Sequence, residues 1–157
     1  MPGGSRDLPH RTDDAELAAR VRASFERQAF MATLGARLGA IEPGQVTIEL
    51  PFRDDLTQQH GFLHAGALAA LADSACGYAA LSLMPPDAAV LSVEFKINLM
   101  KPAKGTHFRA VGKVIRAGHT LTVCSAEVHV EQAGKSSVVA IMQATMMTIR
   151  DRGALTD

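Results

Sequence analysis

The sequence has little of what a metal site, a disulfide scaffold or a nucleic-acid interface requires. Its 157 residues include two cysteines and no tryptophan, and Lys plus Arg equals Asp plus Glu at 16 each. Cys76 and Cys124 lie in apolar stretches outside any C-x-x-C or C-x-x-H pattern, so we expect two buried thiols and no metal. Balanced charge gives no attraction for a nucleic-acid backbone. The composition therefore favours a reduced, cytoplasmic chain with no nucleic-acid partner.

Targeting and phosphate-binding motifs are also missing. The N-terminus MPGGSRDLPHRTDD has no apolar core behind basic residues, so it is not a signal peptide. We interpret residues 1–13 as a flexible leader, 14–150 as a single domain and 151–157 as a flexible tail. No G-x-G-x-x-G or Walker pattern is present. A function that depends on a nucleotide-phosphate loop is therefore not indicated.

One apolar run, HGFLHAGALAALADSACGYAALSLM, is long enough to cross a membrane. It is alanine-rich, contains Asp73 and lacks basic flanks, which is typical of a helix buried inside a protein. We expect this helix to begin at His64-Ala65-Gly66 and to end near Pro85-Pro86, where the prolines prevent continuation. An earlier helix is predicted over about 15–34, with its N-cap within residues 12–14. Its one apolar stripe is formed, at helical spacing, by Leu17, Val21, Phe25 and Gln28 or Met31.

The remaining segments alternate with the period of two that is typical of strands. Glu42-Pro43-Gly44 predicts the turn of a hairpin. In the next strand, one face is formed by Val46, Ile48 and Leu50; beyond the buried helix, one face is formed by Val93, Phe95, Ile97 and Leu99. Further strands are predicted at about 107–116, 120–131 and 137–150, joined by short turns. The sequence therefore predicts an α+β fold, a long curved antiparallel sheet around one central buried helix, with an extra N-terminal helix.

The start of the buried helix and its lone acid both suggest chemistry. The first amides of a helix form a positive, hydrogen-bond-donating patch that can hold a developing oxyanion. Asp73 lies further along the same helix, and the rise between the two is roughly 13 Å. That distance is too long for both groups to act on one carbonyl. If both are catalytic, they come from different subunits.

Gln58, His64-Ala65-Gly66 and Asp73, followed by the strand LSVEFKINLMKPAKG, together resemble the hotdog-fold acyl-CoA thioesterases. The similarity is to the branch of the phenylacetate-degradation thioesterases and the Arthrobacter-type 4-hydroxybenzoyl-CoA thioesterase, over about 34–150. It implies hydrolysis of acyl-CoA and a homodimer, which in this family commonly pairs into a homotetramer. Coenzyme A would be part of the substrate, and neither a separate cofactor nor a membrane partner is implied.

The resemblance implies roles for two residues of the buried helix. Asp73 would act as nucleophile on the thioester or as general base for water. The backbone N–H of Ala65 would polarise the thioester carbonyl, with Gly66 beside it allowing close approach. Relatives often have glycine at the position of Ala65, which gives His-Gly-Gly. Some relatives have a threonine where this chain has Gly77. The methyl of Ala65 would lie near the acyl group and affect acyl preference. Without the threonine, Ser92 would have to position water beside the acid alone.

Three other residues fall at family positions. Gln58, or its neighbour Gln59, would help to hold the carbonyl or the attacking water. Ser92 would place water beside the acid. His64 is expected to shape the start of the helix more than to transfer protons. The candidates for contacts to the coenzyme A phosphates are Arg116, His119, Lys101 and Lys104.

Two other functions fit the same residues. A hotdog dehydratase or hydratase would use a histidine and a carboxylate, here His64 and Asp73, as paired base and acid. Alternatively, a non-catalytic module would bind acyl-CoA and report it to a partner. Hydrolysis fits the combination of Gln58 with His-Ala-Gly better than either of these.

Overall fold

The computed structural model describes residues 14–150, which form three helices and six strands. The helices are α1 (Asp14–Glu26), α2 (Ala29–Leu34) and α3 (Ala65–Leu81), with a short 3-10 turn at Asp54–Leu56. The strands are β1 (Arg37–Glu42), β2 (Gln45–Pro51), β3 (Ala89–Leu99), β4 (His107–Ala117), β5 (Leu121–Gln132) and β6 (Lys135–Ile149). The predicted leader and tail, and the N-cap candidates Thr12 and Asp13, lie outside the described residues.

The strands form one antiparallel sheet in the order β1-β2-β4-β5-β6-β3, and α3 packs against β2, β3, β4, β5 and β6. Leu71 and Ala75 of α3 are fully buried. Gly112 of β4 permits this packing, because a Cβ there would lie 2.3 Å from the Ala75 carbonyl. The predicted sheet around a buried helix is confirmed, as are the hairpin at 42–45 and the buried face of β2.

The predicted first helix is interrupted. At Arg27 and Gln28 the backbone amides bond to the carbonyls of Ser24 and Phe25, three residues back, which tightens and ends α1. Gln28 then has φ −82° and ψ 88°, outside the helical region, before α2 begins. The expectation of one continuous helix over 15–34 is therefore wrong, and Gln28 lies at the break.

The buried helix begins where predicted but ends earlier than Pro85-Pro86. Ser82 follows its last residue, donating from its hydroxyl to the Ala79 carbonyl and accepting from the Gly44 amide at 2.7 Å each. The amides of Leu83 and Met84 then bond three residues back, closing short turns. The helix therefore ends at a serine that links it to the β1–β2 turn, before either proline.

Strand β3 is an edge of the sheet and differs from simple alternation at one point. A bulge between Ser92 and Glu94 takes Val93 out of the pairing with β6. Phe95, Ile97 and Leu99 then lie opposite β6 residues of the helix-facing side, as predicted. The bulge places Ser92, opposite the buried Met146, on that side too.

The predicted inner face of β3 is not buried within one chain. Phe95 is 45% and Leu99 is 52% exposed, since β3 has a hydrogen-bonded neighbour on one side only. The expectation that these residues lie inside is wrong for the single chain. Within residues 14–150, no helix has the length and apolar character needed to cross a membrane.

Candidate active site

Asp73 lies on α3 where the helix passes the beginning of β3. The Ser92 hydroxyl donates to its Oδ1 at 2.7 Å, so the bulge in β3 brings together the two residues predicted to act together. Burial raises the pKa of the Asp73 carboxyl above its ordinary value, and the Ser92 hydrogen bond offsets part of the rise. A half-buried carboxylate with one hydrogen bond keeps acceptor capacity for water or for attack on a carbonyl.

Asp73 opens into a small cavity of about 110 Å³, here called the acid cavity. Its walls include Gln28 from the break between α1 and α2, Ser74 and Gly77 from α3, and Ser92 from β3. Three elements therefore enclose the acid. Sequence reasoning gave no role to Ser74 and placed Gln28 only in the helix stripe.

The start of α3 leaves one amide free for a ligand. His64 is the N-cap, and its Nδ1 accepts from the Gly66 amide at 2.8 Å. The amides of Ala67 and Leu68 bond to the His64 carbonyl. In the described part of the chain, the Ala65 amide alone among these first-turn amides has no acceptor. Its N–H can therefore donate to an oxyanion.

Gln58 lies on the loop before α3, half-buried, with its orientation set by the turn. Its Oε1 accepts from the His60 amide, and its own amide donates to the Phe62 carbonyl at 2.9 Å. The side-chain Nε2 contacts no acceptor among the described residues, which leaves it to donate to a ligand. The neighbouring Gln59 is exposed and contacts His60 instead.

Gln58 and Ala65 line a second and larger cavity of about 480 Å³, here called the amide cavity. Leu99, Met100 and Lys101, at the end of β3, form its other side. The acid cavity and the amide cavity share no lining residue in one chain. A single chain thus carries the donors and the acid in separate places, as the helical rise predicted.

The candidate contacts to coenzyme A phosphates fall into two groups. Lys101 lines the amide cavity, and the exposed Lys104 follows in the same loop. Arg116 lies near the other end of β4, roughly 30 Å along the strand from its first residue, His107, and His119 lies in the turn that follows. His119 Nε2 contacts Arg150 Nη1 at 2.8 Å. One chain therefore does not bring these cations to a common point.

The two cysteines are core residues. Both are fully buried, and the Cys124 thiol donates to the Cys76 carbonyl at 3.6 Å. The pKa of Cys76 is raised, first by its hydrogen bond with Cys124 and then by burial. The Cys76 thiol therefore stays protonated, which does not suit a nucleophile. The prediction that both cysteines are buried is confirmed.

Comparison with known proteins shows the family of this chain. Residues 60–137 match the family model described as the thioesterase superfamily. A solved thioesterase family protein from Silicibacter pomeroyi is 49% identical, with a TM-score of 0.85, over 86% of this chain and 99% of that one.

Two curated proteins are more distant. A Saccharolobus solfataricus protein with the name "Putative esterase" is 33% identical over 87 residues, 55% of this chain and 61% of that protein's length. A 1,4-dihydroxy-2-naphthoyl-CoA hydrolase of Listeria monocytogenes is 25% identical over 91 residues, 58% of this chain and 74% of that protein. The chain belongs to the thioesterase superfamily and has its hotdog fold, which confirms the resemblance seen in the sequence.

Proposed function

We propose that this protein hydrolyses acyl-CoA thioesters at a site shared between two copies of the chain. The observation that carries the proposal is the free Ala65 amide in one cavity and the carboxyl of Asp73 in another. The amide cavity contains the hydrogen-bond donors and the acid cavity contains the carboxyl group, and a complete site needs both. The Listeria relative is named as a hydrolase of a CoA thioester, which supports coenzyme A as the carrier.

The chemistry follows from the free donors and the acid. The Ala65 N–H and the Gln58 Nε2 would donate to the thioester oxygen as negative charge develops there. Asp73 of the facing chain would attack the carbonyl carbon, or remove a proton from the water that attacks it. If Asp73 attacks, the C–S bond breaks to leave a mixed anhydride with Asp73, and water then hydrolyses that anhydride to the free acid and the Asp73 carboxylate. If water attacks, the C–S bond breaks to give the free acid directly. In both routes the CoA sulfur takes a proton and water supplies the new oxygen of the acid. Ser92 holds the carboxyl in place through its hydrogen bond.

The proposed partner surface is the edge strand β3. Large apolar side chains are exposed along it and in the residue after it, namely Leu91, Val93, Phe95, Leu99 and Met100. A long apolar edge of this kind is a template for pairing with another strand. Two copies that pair antiparallel along β3 would continue the sheet and cover these side chains.

That pairing would also complete the site. In a twofold antiparallel pair centred near Phe95, the beginning of one strand faces the end of its partner. Ser92 and Asp73 lie at the beginning, whereas the amide cavity adjoins Leu99 and Met100 at the end. The acid of one chain would then meet the amide cavity of the other, and two such sites would form in each dimer.

The same arrangement relates the two groups of cations. Thr148 of β6 donates to the Thr120 carbonyl, so the β4–β5 turn lies at the same end of the sheet as the beginning of β3. Arg116 and His119 of one chain would therefore lie on the side of the partner's Lys101 loop. This supports a coenzyme A phosphate contact made by both chains.

Exposed apolar side chains on the outer face of the sheet support association of dimers. Ile115, Leu121 and Ile141 are exposed there, away from α3. We extend the proposal to a homotetramer in which dimers contact through this face. The dimer alone is sufficient for the proposed site.

The rival acid–base pair of a dehydratase is less compatible with the contacts. His64 Nδ1 is occupied by the Gly66 amide, and this histidine caps the start of α3, nine residues before Asp73. Such a pair would have to use Nε2 alone and again span two chains. The geometry therefore favours hydrolysis.

The proposed function is tested with a panel of short, medium, long and aryl acyl-CoAs. If the protein is a hydrolase, the reaction should release thiol and free acid in equal amounts. Loss of an enoyl chromophore without thiol release would instead support the dehydratase. Tight binding of acyl-CoA without turnover would support the binding module. Either result from folded protein contradicts the proposal.

A further inference from the structure

The acid cavity is polar on the side away from the sheet. Gln28 and Ser74 line it, and their side chains meet each other there. A cavity for a plain alkyl chain is mostly apolar, with few polar groups placed to fix the ligand. We infer that the acid cavity holds the acyl group and that Gln28 selects short acyl groups carrying a hydroxyl or carbonyl oxygen. This inference rests on the proposed function.

Gln28 is held so that one end of its side chain remains available. The Ser74 hydroxyl donates to its Oε1 at 3.2 Å, which fixes the amide plane. Its Nε2 has no acceptor among the described residues and can donate to an oxygen in the cavity. The break between α1 and α2 presents Gln28 to α3, and Phe25 of α1 packs against Tyr78 with ring centroids 5.8 Å apart. The N-terminal helices are therefore anchored beside the acid.

Gly77 provides room in the same cavity. It lies in the middle of α3, where glycine is a poorer helix former than alanine. A Cβ built there would meet no atom within 4 Å, so no close packing within the chain requires glycine. Gly77 lines the acid cavity one turn beyond Asp73. The space it leaves open is space for a ligand.

The volume that one chain provides favours a short acyl group. About 110 Å³ is the room of a few water molecules, each of which takes about 30 Å³ in the liquid. A chain of several methylene groups would exceed what one chain provides. A group of four or five carbons with one oxygen fits this volume, and that oxygen can accept from Gln28.

The test compares matched substrates with Gln28→Leu, a substitution of similar size that removes the amide. The pairs are butanoyl-CoA with 3-hydroxybutanoyl-CoA and pentanoyl-CoA with 4-oxopentanoyl-CoA. In the unsubstituted protein, kcat/KM measured by thiol release should be higher for the oxygenated member of each pair. In Gln28→Leu that preference should fall about tenfold, because a site built to hydrogen-bond an oxygen discriminates strongly against its absence. Gln45→Leu, at the β1–β2 turn, is the matched control and should keep the preference.

A second variant, Gly77→Ala, tests the role of space without weakening the helix. It should reduce turnover of the five-carbon pair more than that of acetyl-CoA. An unchanged preference in a folded Gln28→Leu protein overturns the inference, as does uniform behaviour of Gly77→Ala across chain lengths. These results leave thiol release intact, whereas the absence of thiol release from every substrate would overturn the proposed function itself.

Discussion

Replacing Asp73 by asparagine should lower kcat for acyl-CoA hydrolysis by about 10²- to 10⁴-fold, the contribution typical of a positioned acid–base group. Asparagine keeps the size of the side chain and can still accept from the Ser92 hydroxyl. The Kd for acyl-CoA, measured by calorimetry, should therefore change little. Turnover within tenfold of the unsubstituted protein would remove Asp73 from the mechanism.

The pH profile gives an independent test of the same residue. Asp73 acts as a carboxylate, so activity should fall when it is protonated. Burial raises its pKa, so the acid limb of kcat/KM should lie above the range of an ordinary aspartate. Ser92→Ala removes the hydrogen bond that favours the charged form and should move this limb to still higher pH. An acid limb at or below the pH expected for an exposed aspartate would contradict the assignment of the limb to the half-buried Asp73.

Placing a charge at the middle of β3 should abolish both association and activity. Phe95→Lys would bring two ammonium groups together across the proposed twofold contact, and charged side chains on edge strands prevent pairing. Because Phe95 is 45% exposed in one chain, the monomer should still fold. Sedimentation should show a monomer, and thiol release should fall by about 10²-fold or more because each chain keeps only half of the site.

The matched control is Leu83→Lys, the same kind of change at an exposed apolar residue after α3 and away from the edge strand. It should leave both the oligomeric state and turnover unchanged. A monomeric Phe95→Lys protein with full activity would mean that one chain holds a complete site. A Phe95→Lys protein that stays dimeric would place the contact elsewhere.

Patterns of local spacing were enough to predict most of the fold. Val46, Ile48 and Leu50 alternate in sequence and are all fully buried in β2. The central helix was predicted to begin at His64-Ala65-Gly66, and His64 is its N-cap. The strands predicted at about 107–116, 120–131 and 137–150 match β4, β5 and β6 to within a few residues. These features depend on neighbours in sequence, which a sequence displays directly.

Features set by distant neighbours were not predictable. Gln28, at the break between α1 and α2, contacts Ser74, and Ser82, after α3, contacts Gly44; both contacts join residues far apart in sequence. Because of the bulge at Val93, Ser92 lies on the opposite face of the sheet from the one that simple alternation predicts. Gln28 was visible as a polar interruption of an apolar stripe, and that interruption is the signal that could have drawn attention to the acid cavity.

The central claim, an acid from one chain acting with the amide cavity of the other, is tested most directly by mixing two inactive proteins. Asp73→Asn chains are combined with Gln58→Ala chains under conditions where mass spectrometry shows that subunits exchange. Each hybrid dimer would contain one site with both groups intact, so an equal mixture should recover about one quarter of the unsubstituted activity. No recovery above the mean of the two separate variants, with exchange verified, would contradict a shared site.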